Sequence, residues 1–191
     1  MPDHEIRGHL LSTAAAYIDG FDQGERAWMW DAVSAETRTL AREASPGEWY
    51  EGRHLEELFG ALFETAGSPK RGVARVIGCG EAFGQVAIAG ALRLVAKLLT
   101  PKVFASRSHK FFRRDFNFGR VDVAEFDAEA GRMVMVVSDV EGFQLVGYVA
   151  AGWFGYALKA MGQKNVQAEV VDLPVEMRAP AAWTLHITWR S

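Results

Sequence analysis

Apolar residues recur at helical spacing through the first half of the chain. The pattern predicts a first helix that begins at Asp3 as its N-cap and ends near Gly20. Two short helices follow over 25–33 and 35–44, the second capped by Ser34, and a fourth over 53–67 has one apolar stripe. The N-terminal half is therefore predicted to be a helical lobe.

A fifth helix is predicted over roughly 73–99, where Pro101 stops it. Beyond its first turns this segment is apolar almost all round, which is typical of a helix that runs through the centre of a molecule. It includes the stretch "VIGCGEAFGQVAIAG", residues 76–90, with a Gly-x-Gly pattern and the single cysteine of the chain.

From Gly119 the spacing changes to strict alternation. Segments 120–126 and 132–138 predict a β-hairpin, segment 143–162 predicts a helix, and 165–171 and 181–190 predict two more strands. We expect an α+β fold in which an N-terminal helical lobe packs on a C-terminal ββαββ antiparallel sheet. The expected organisation is a single domain over 1–191, with the helical lobe over 1–100, a connecting segment over 101–118 and the sheet lobe over 119–191.

Composition narrows the classes of function. The chain has 191 residues, 49% of them hydrophobic and 24% charged, which is enough for a buried core and typical of a globular domain. The net charge of −3 argues against general nucleic-acid binding. One cysteine excludes an internal disulfide and a cysteine-rich zinc site. The start lacks a secretory pattern and no uncharged run spans a bilayer, so we expect a soluble, cytoplasmic protein.

Six stretches carry a nearly full-length resemblance. They are "RGHLLSTAAAYI", "EWYEGRHLEELFGAL", "IGCGEAFGQVAIAGALRLVAKLLTP", "FFRRDFNFGRVDV", "GYVAAGWFGYALKAMGQKNVQAEV" and "WTLHITW". In this order they resemble a bacterial group of uncharacterised proteins related to the 4-vinyl-reductase, haem-nitric-oxide-binding and TRAPP-complex subunit domains. The resemblance implies helices and a curved antiparallel sheet around an apolar pocket, which different relatives use for small molecules, haem, an acyl chain or partner subunits. It also implies a homodimer through the helical lobe.

Two departures from these families bear on cofactors. The segment before the final strand, 172–182, lacks the cysteines common in 4-vinyl-reductase-like domains. None of the four tyrosines begins the Tyr-x-Ser-x-Arg motif with which haem-nitric-oxide-binding domains hold the porphyrin carboxylates. We therefore expect no cofactor, and haem in particular is disfavoured.

The glycines of 76–90 do not form a nucleotide loop. Gly78, Gly80 and Gly84 are spaced one residue too widely for the dinucleotide fingerprint, and no carboxylate follows about 20 positions on. Gly80 and Gly84 instead stand one helical turn apart and predict a face that another backbone can approach closely. Cys79 on this helix is interpreted as a small buried apolar side chain. The resemblance to TRAPP-complex subunits, some of which carry an acylated cysteine at the mouth of their pocket, implies an acyl or covalent ligand at Cys79 as the alternative.

Segment 101–120 combines cations with aromatic residues. We take Arg107, Lys110, Arg113 and Arg114 as a candidate anion patch, and Asp115 is the one acid among them. The interleaved phenylalanines either anchor the segment to the core or bind single-stranded nucleic acid by stacking; the acidic total favours the first interpretation.

Catalytic and metal-binding patterns are missing from the sequence. No His-Glu-x-x-His pair or Gly-x-Ser-x-Gly elbow occurs. The function predicted is a non-catalytic sensor or adaptor domain that binds a small apolar or anionic ligand or a partner protein. Alternatives are an enzyme with an unrecognised site near Cys79 and His109, and nucleic-acid binding through 102–120. The candidate ligand pocket consists of Cys79, Phe104, His109, Phe112 and Trp153.

Overall fold

The computed structural model describes residues 4–89, 96, 98–171 and 182–190. In this part of the chain the helices are α1 Gly8–Asp19, α2 Gln23–Asp31, α3 Ala35–Glu43, α4 Arg53–Glu64, α5 Pro69–Ala87, α6 Pro101–Asp115 and α7 Val146–Ala160. The strands are β1 Glu5–Arg7, β2 Trp49–Glu51, β3 Arg120–Asp127, β4 Arg132–Ser138, β5 Lys164–Val171 and β6 Ala182–Arg190. The fold is thus a mixture of helices and antiparallel strands, as the periodicity predicts.

The start of the first helix differs from the prediction. Asp3, the predicted cap, lies outside the described residues, and α1 begins only at Gly8. The three residues before it form β1, which pairs antiparallel with β2 in a two-stranded sheet that the sequence pattern does not predict. This correction has a physical cause, because a three-residue strand is specified by its distant partner and leaves no periodicity of its own.

The fifth helix also has different bounds. It begins at Pro69, behind Ser68 whose hydroxyl accepts a hydrogen bond from the Arg71 amide, and it ends at Ala87. The predicted start at 73 is therefore too late by about one turn. The predicted helix extends to 99, and residues 90–95 and 97 of that range lie outside the described part of the chain. Near its C-terminal end α5 is exposed to solvent, since Val86 is 51% exposed, so the helix is not buried on all sides as predicted.

The larger sheet has the strand order β3-β4-β6-β5, and all its neighbours are antiparallel. Its inner face consists of Met133, Met135, Val137, Trp183, Leu185, Ile187 and Trp189, all buried. Helix α7 packs against β5 and β6, and the Trp183 ring lies where a Cβ on Gly147 would be. The described residues thus form two antiparallel sheets, this one and the β1-β2 pair, so the predicted ββαββ arrangement is matched in part.

Helices α5 and α7 are in direct backbone contact. A Cβ on Gly80 would overlap the Val149 carbonyl oxygen, and one on Gly152 would overlap the Ile77 carbonyl oxygen. Glycine is therefore required at both positions for the two helices to approach this closely. The contact joins the helical lobe to the helix that covers the larger sheet.

None of the described helices is both long enough and apolar enough to cross a membrane.

Candidate functional site: two apolar cavities beside a polar groove

Two apolar cavities lie between α5, α6 and α7. The first has a volume of about 30 Å³ and is lined by Leu10, Phe83, Phe111, Phe112, Asp115, Phe116, Val146, Val149, Ala150, Trp153 and Phe154. The second has a volume of about 80 Å³ and is lined by Ala87, Ile88, Ala96, Leu99, Phe104, Phe111, Arg114, Trp153, Ala157 and Met161. Phe111 and Trp153 line both, so these two side chains form the partition between the cavities.

The partition belongs to an aromatic cluster. The ring centroid of Phe104 lies 5.7 Å from that of Phe111 and 6.0 Å from that of Trp153, and Phe111 and Trp153 are also 6.0 Å apart. These separations are within the range in which aromatic rings attract one another. Phe111 and Trp153 are only partly buried, so the partition stands near the surface.

An open groove of about 380 Å³ adjoins both cavities. It is lined by Arg7, His9, Pro46, Gly47, Val86, Ala87, Arg114 and Asp115. It shares Asp115 with the first cavity and both Ala87 and Arg114 with the second. The groove therefore gives the apolar cavities a polar border.

A buried carboxylate holds this border together. Asp115 is 4% exposed, and it accepts hydrogen bonds of 2.8 Å from both Nε and Nη2 of Arg114. The His9 Nε2 lies 3.5 Å from its Oδ1. Burial alone would raise the pKa of Asp115, but the hydrogen bonds from Arg114 and His9 outweigh burial and hold this pKa below its ordinary value. Asp115 is thus a carboxylate that links α6 to α1.

Strand β1 places the other polar residues of the groove. The Glu5 amide donates to Asn117 Oδ1 at 2.7 Å, directly after α6, and Ile6 forms a bridge with Phe116. Arg7 then follows beside the end of α6, where its Nε donates to the Arg114 carbonyl oxygen at 3.4 Å. The small sheet thereby positions Arg7 and His9 against the last turn of α6.

The predicted pocket residues fall into different places. Phe104, Phe112 and Trp153 line the cavities. Cys79 is fully buried on α5 outside the lining sets of these two cavities, and burial raises the pKa of its thiol. His109 lies on the exposed face of α6. The structure therefore brings three of the five together and leaves Cys79 and His109 in separate environments.

The catalytic alternative gains no support from these placements. A thiol whose pKa is raised by burial is a poor nucleophile, because the thiolate is the reactive form. His109 is in solvent, so the two residues do not form one site. In the described ranges, no three His, Cys, Asp or Glu side chains are grouped closely enough to hold a metal ion.

The candidate anion patch divides in two. Arg107, Lys110 and Arg113 lie on the exposed side of α6, whereas Arg114 belongs to the groove. The phenylalanines of this segment are turned inward, with Phe104, Phe112, Phe116 and Phe118 buried and Phe111 partly so. Aromatic rings in these positions do not offer a stacking platform for bases, so the anchoring interpretation is the one the structure favours.

Sequence reasoning missed most of the polar border. Arg7 and His9 are about a hundred residues from Arg114 and Asp115 in the chain, and no local pattern connects them. A usable signal is present in Asp115 itself, the one acid in a basic and aromatic segment. An isolated acid in such a segment indicates a structural ion pair.

Comparisons with known proteins identify the fold. No family model matches the chain, and no curated protein sequence matches it. Among solved structures, a mutant of an H-NOX protein from K. algicida in the Fe(II) unliganded form has a TM-score of 0.70 at 14% identity, with 97% of each chain covered. An H-NOX protein from S. oneidensis in the Fe(II)NO ligation state has a TM-score of 0.67 at 11% identity, covering 97% of this chain and 100% of that one.

The chain therefore has an H-NOX-like fold, which agrees with the haem-nitric-oxide-binding part of the resemblance. Nothing in the comparisons supports the 4-vinyl-reductase or TRAPP parts. A further neighbour, a structure that concerns haem distortion in the H-NOX family, has a TM-score of 0.59 at 11% identity, with 97% of this chain and 96% of that one covered. The expectation of no cofactor is accordingly overturned, because the neighbours are haem-binding domains and point to haem.

The described residues, however, do not fit a haem in this arrangement. Cavities of about 30 and 80 Å³ fall well below the ~300–1,000 Å³ of pockets for drug-sized ligands. Of the described side chains that line them, none is a histidine, cysteine or tyrosine, and Met161 has the one sulfur donor. Gly80 and Gly152 also keep α5 and α7 in backbone contact, so these two helices leave no gap where they cross.

Proposed function

We propose that this chain is a non-catalytic sensor domain that binds a small apolar ligand between α5, α6 and α7. The observation that carries the proposal is the pair of adjoining cavities with an aromatic partition near the surface. The two cavities together are smaller than the ~150 Å³ apolar cavity that binds benzene. A ring-sized ligand therefore enters by displacing Phe111, which is half-buried and has solvent on its outer side.

Haem is the second candidate ligand. It is supported by the fold, through the H-NOX neighbours, and not by the described lining residues. The two candidates are separated by adding hemin and toluene in turn to the purified protein. If hemin binds with one equivalent and gives a Soret band, the result supports haem. If toluene changes the tryptophan fluorescence and hemin does not bind, the result supports the small apolar ligand.

Filling the second cavity is expected to abolish binding of a small apolar ligand. Ala157 on α7 is buried and lines this cavity, and an Ala157→Met side chain is flexible enough to occupy it. We expect the affinity for toluene to fall at least about tenfold, or ~1.4 kcal/mol, as measured by titration of tryptophan fluorescence.

The matched control is Ala160→Met, one turn further along α7. Ala160 is partly exposed and outside the lining of either cavity, so this variant should bind toluene as the unaltered protein does. Equal affinities of the two variants would place the ligand elsewhere and contradict the proposal.

We also propose that the protein acts as a homodimer, or with a partner protein, through the helical lobe. Trp28 on α2 supports this, because it is 66% exposed and exposed aromatic side chains are enriched at protein interfaces. Sedimentation velocity should show a dimer at micromolar concentration and a shift toward monomer in Trp28→Ser. A monomer before substitution would contradict the homodimer.

A further inference from the structure

The groove has an excess of positive charge at the border of the second cavity. Two arginines and a histidine line it, against a single carboxylate among its described lining residues. That carboxylate, Asp115, is already engaged by Arg114 and His9. Its charge is therefore balanced within the protein, and the remaining positive charge of the groove faces solvent.

Both arginines keep donors outside these contacts. A guanidinium has five N–H donors in a fixed fork, and the pair with Asp115 uses Nε and Nη2 of Arg114. The Arg114 side chain is 44% exposed. Arg7 bonds to the carbonyl oxygens of Arg114 and Gly47 and lies 4.0 Å above the Trp49 ring. These contacts fix its position, and none of them involves an acidic side chain of the described residues. Fixed arginines of this kind suit bidentate recognition of a carboxylate.

We propose that the ligand is a small amphipathic carboxylate whose head group binds Arg7 and Arg114 in the groove and whose apolar part occupies the second cavity. This inference rests on the proposed function and names the class of its ligand. The geometry that carries it is the shared border, since Arg114 and Ala87 line both the groove and the second cavity. One molecule can therefore contact the polar and the apolar regions at once.

The size of the cavities restricts the apolar part. The second cavity of about 80 Å³, extended by movement of Phe111, accepts a phenyl ring or a short branched chain and excludes a long acyl chain. The aromatic walls formed by Phe104 and Trp153 favour a phenyl ring, through ring–ring contacts. Short aryl-alkyl carboxylates are thus the chemical class expected.

The test compares 3-phenylpropionate with the neutral 3-phenylpropanamide and with toluene by isothermal titration at pH 7.5 and low salt. We expect the carboxylate to bind at least about tenfold more tightly than the amide, the scale of one charge-assisted hydrogen-bonded pair. The preference should decrease as salt is added, because the groove is open to solvent.

Three variants locate the head group. Arg114→Gln and Arg7→Gln should each remove the preference for the carboxylate over the amide, while Lys110→Gln, a cation on the outer side of α6, should retain it. Arg7→Gln leaves the Arg114–Asp115 pair intact and so keeps the test valid if Arg114→Gln fails to fold.

The failure of this inference is distinguishable from the failure of the proposed function. If the carboxylate and the amide bind equally well, the inference is overturned while a small apolar ligand still stands. If toluene, the amide and the carboxylate all fail to bind, both are overturned. Loss of the preference in Lys110→Gln would place the anion on the outside of α6 and would also overturn the inference.

Discussion

Gly152→Ala is expected to lower the free energy of unfolding by about 3 kcal/mol or more, at the upper end of the range for overpacked cores. The added Cβ would overlap the Ile77 carbonyl oxygen and would lie 2.9 Å from the Glu81 nitrogen. Both atoms belong to the backbone of α5, so no side-chain rotation relieves the contact. Helices α5 and α7 would have to separate along their length, and urea unfolding followed by circular dichroism measures the cost.

Gly80→Ala should behave in the same way, because its Cβ would overlap the Val149 carbonyl oxygen on the other side of the same contact. Val149 lines the first cavity, so a separation of the two helices would also widen that cavity. We therefore expect both alanine variants to lose stability. If they still bind a ligand, their wider cavity should discriminate less between ligands of different size.

Gly60→Ala provides the matched control. Gly60 lies within α4, and nothing is within 4 Å of where its Cβ would be. Alanine is favoured over glycine in a helix interior by ~1 kcal/mol, so this substitution should stabilise the protein. If Gly152→Ala and Gly60→Ala have the same urea midpoint, α5 and α7 can separate without loss of stability. That result would contradict the close backbone contact between them.

Local signals in the sequence explain the parts of the fold that are predictable. Ser34 accepts a hydrogen bond from the Thr37 amide at the start of α3, the interaction its position predicts. The alternation in β6 predicts its faces, since Leu185 and Ile187 are buried and His186 is exposed. Each of these features depends on residues a few positions apart, which is why periodicity and capping patterns reveal them.

The candidate site depends on contacts that are distant in the chain. The aromatic character of Phe104, Phe112 and Trp153 suggests them as pocket residues, but Ala87 on α5 has no such signal and lines the second cavity only because α5 packs on α7. The border formed by Arg7 and Asp115 similarly requires β1 to pair beside the end of α6. Tertiary packing determines these positions, and the local pattern of apolar residues does not predict which distant residues come into contact.

Cofactor chemistry is the weakest part of the prediction, for a related reason. The absence of a short motif leads to the expectation of no haem, yet the structural neighbours share the fold at 11–14% identity and are H-NOX proteins. At such identities the path of the backbone is retained while individual side chains are replaced. The absence of the Tyr-x-Ser-x-Arg motif therefore excludes one set of contacts to haem and does not by itself exclude haem binding.

Glu56→Gln is expected to stabilise the protein above pH 7 by about 2 kcal/mol and to leave it unchanged at pH 4. Burial raises the pKa of Glu56 from 4.5 to about 7. Among the described residues its Oε1 has no hydrogen-bond partner, and its Oε2 accepts a bond of 3.4 Å from the Gln144 amide. Between these two pKa values the folded state binds more protons than the unfolded state, so stability falls as the pH rises through this range. A shift of this size corresponds to ~3 kcal/mol, which we reduce for the partial exposure of the side chain.

Glu57, the next residue, is the matched control because its titration has the opposite sign. Burial would raise the pKa of Glu57, but hydrogen bonds that include those from the Ser34 amide and hydroxyl outweigh burial and lower it. Glu57→Gln should therefore lose stability at neutral pH, and the loss should decrease as the pH falls below the ordinary carboxyl pKa and vanish below the lowered pKa of the folded state. Chemical denaturation of both variants at pH 2, 3, 4, 6 and 8 measures the two trends. Parallel pH profiles for the two variants would show that Glu56 is solvated in solution, and the loop before α7 would then be more open than its contact with Glu56 indicates.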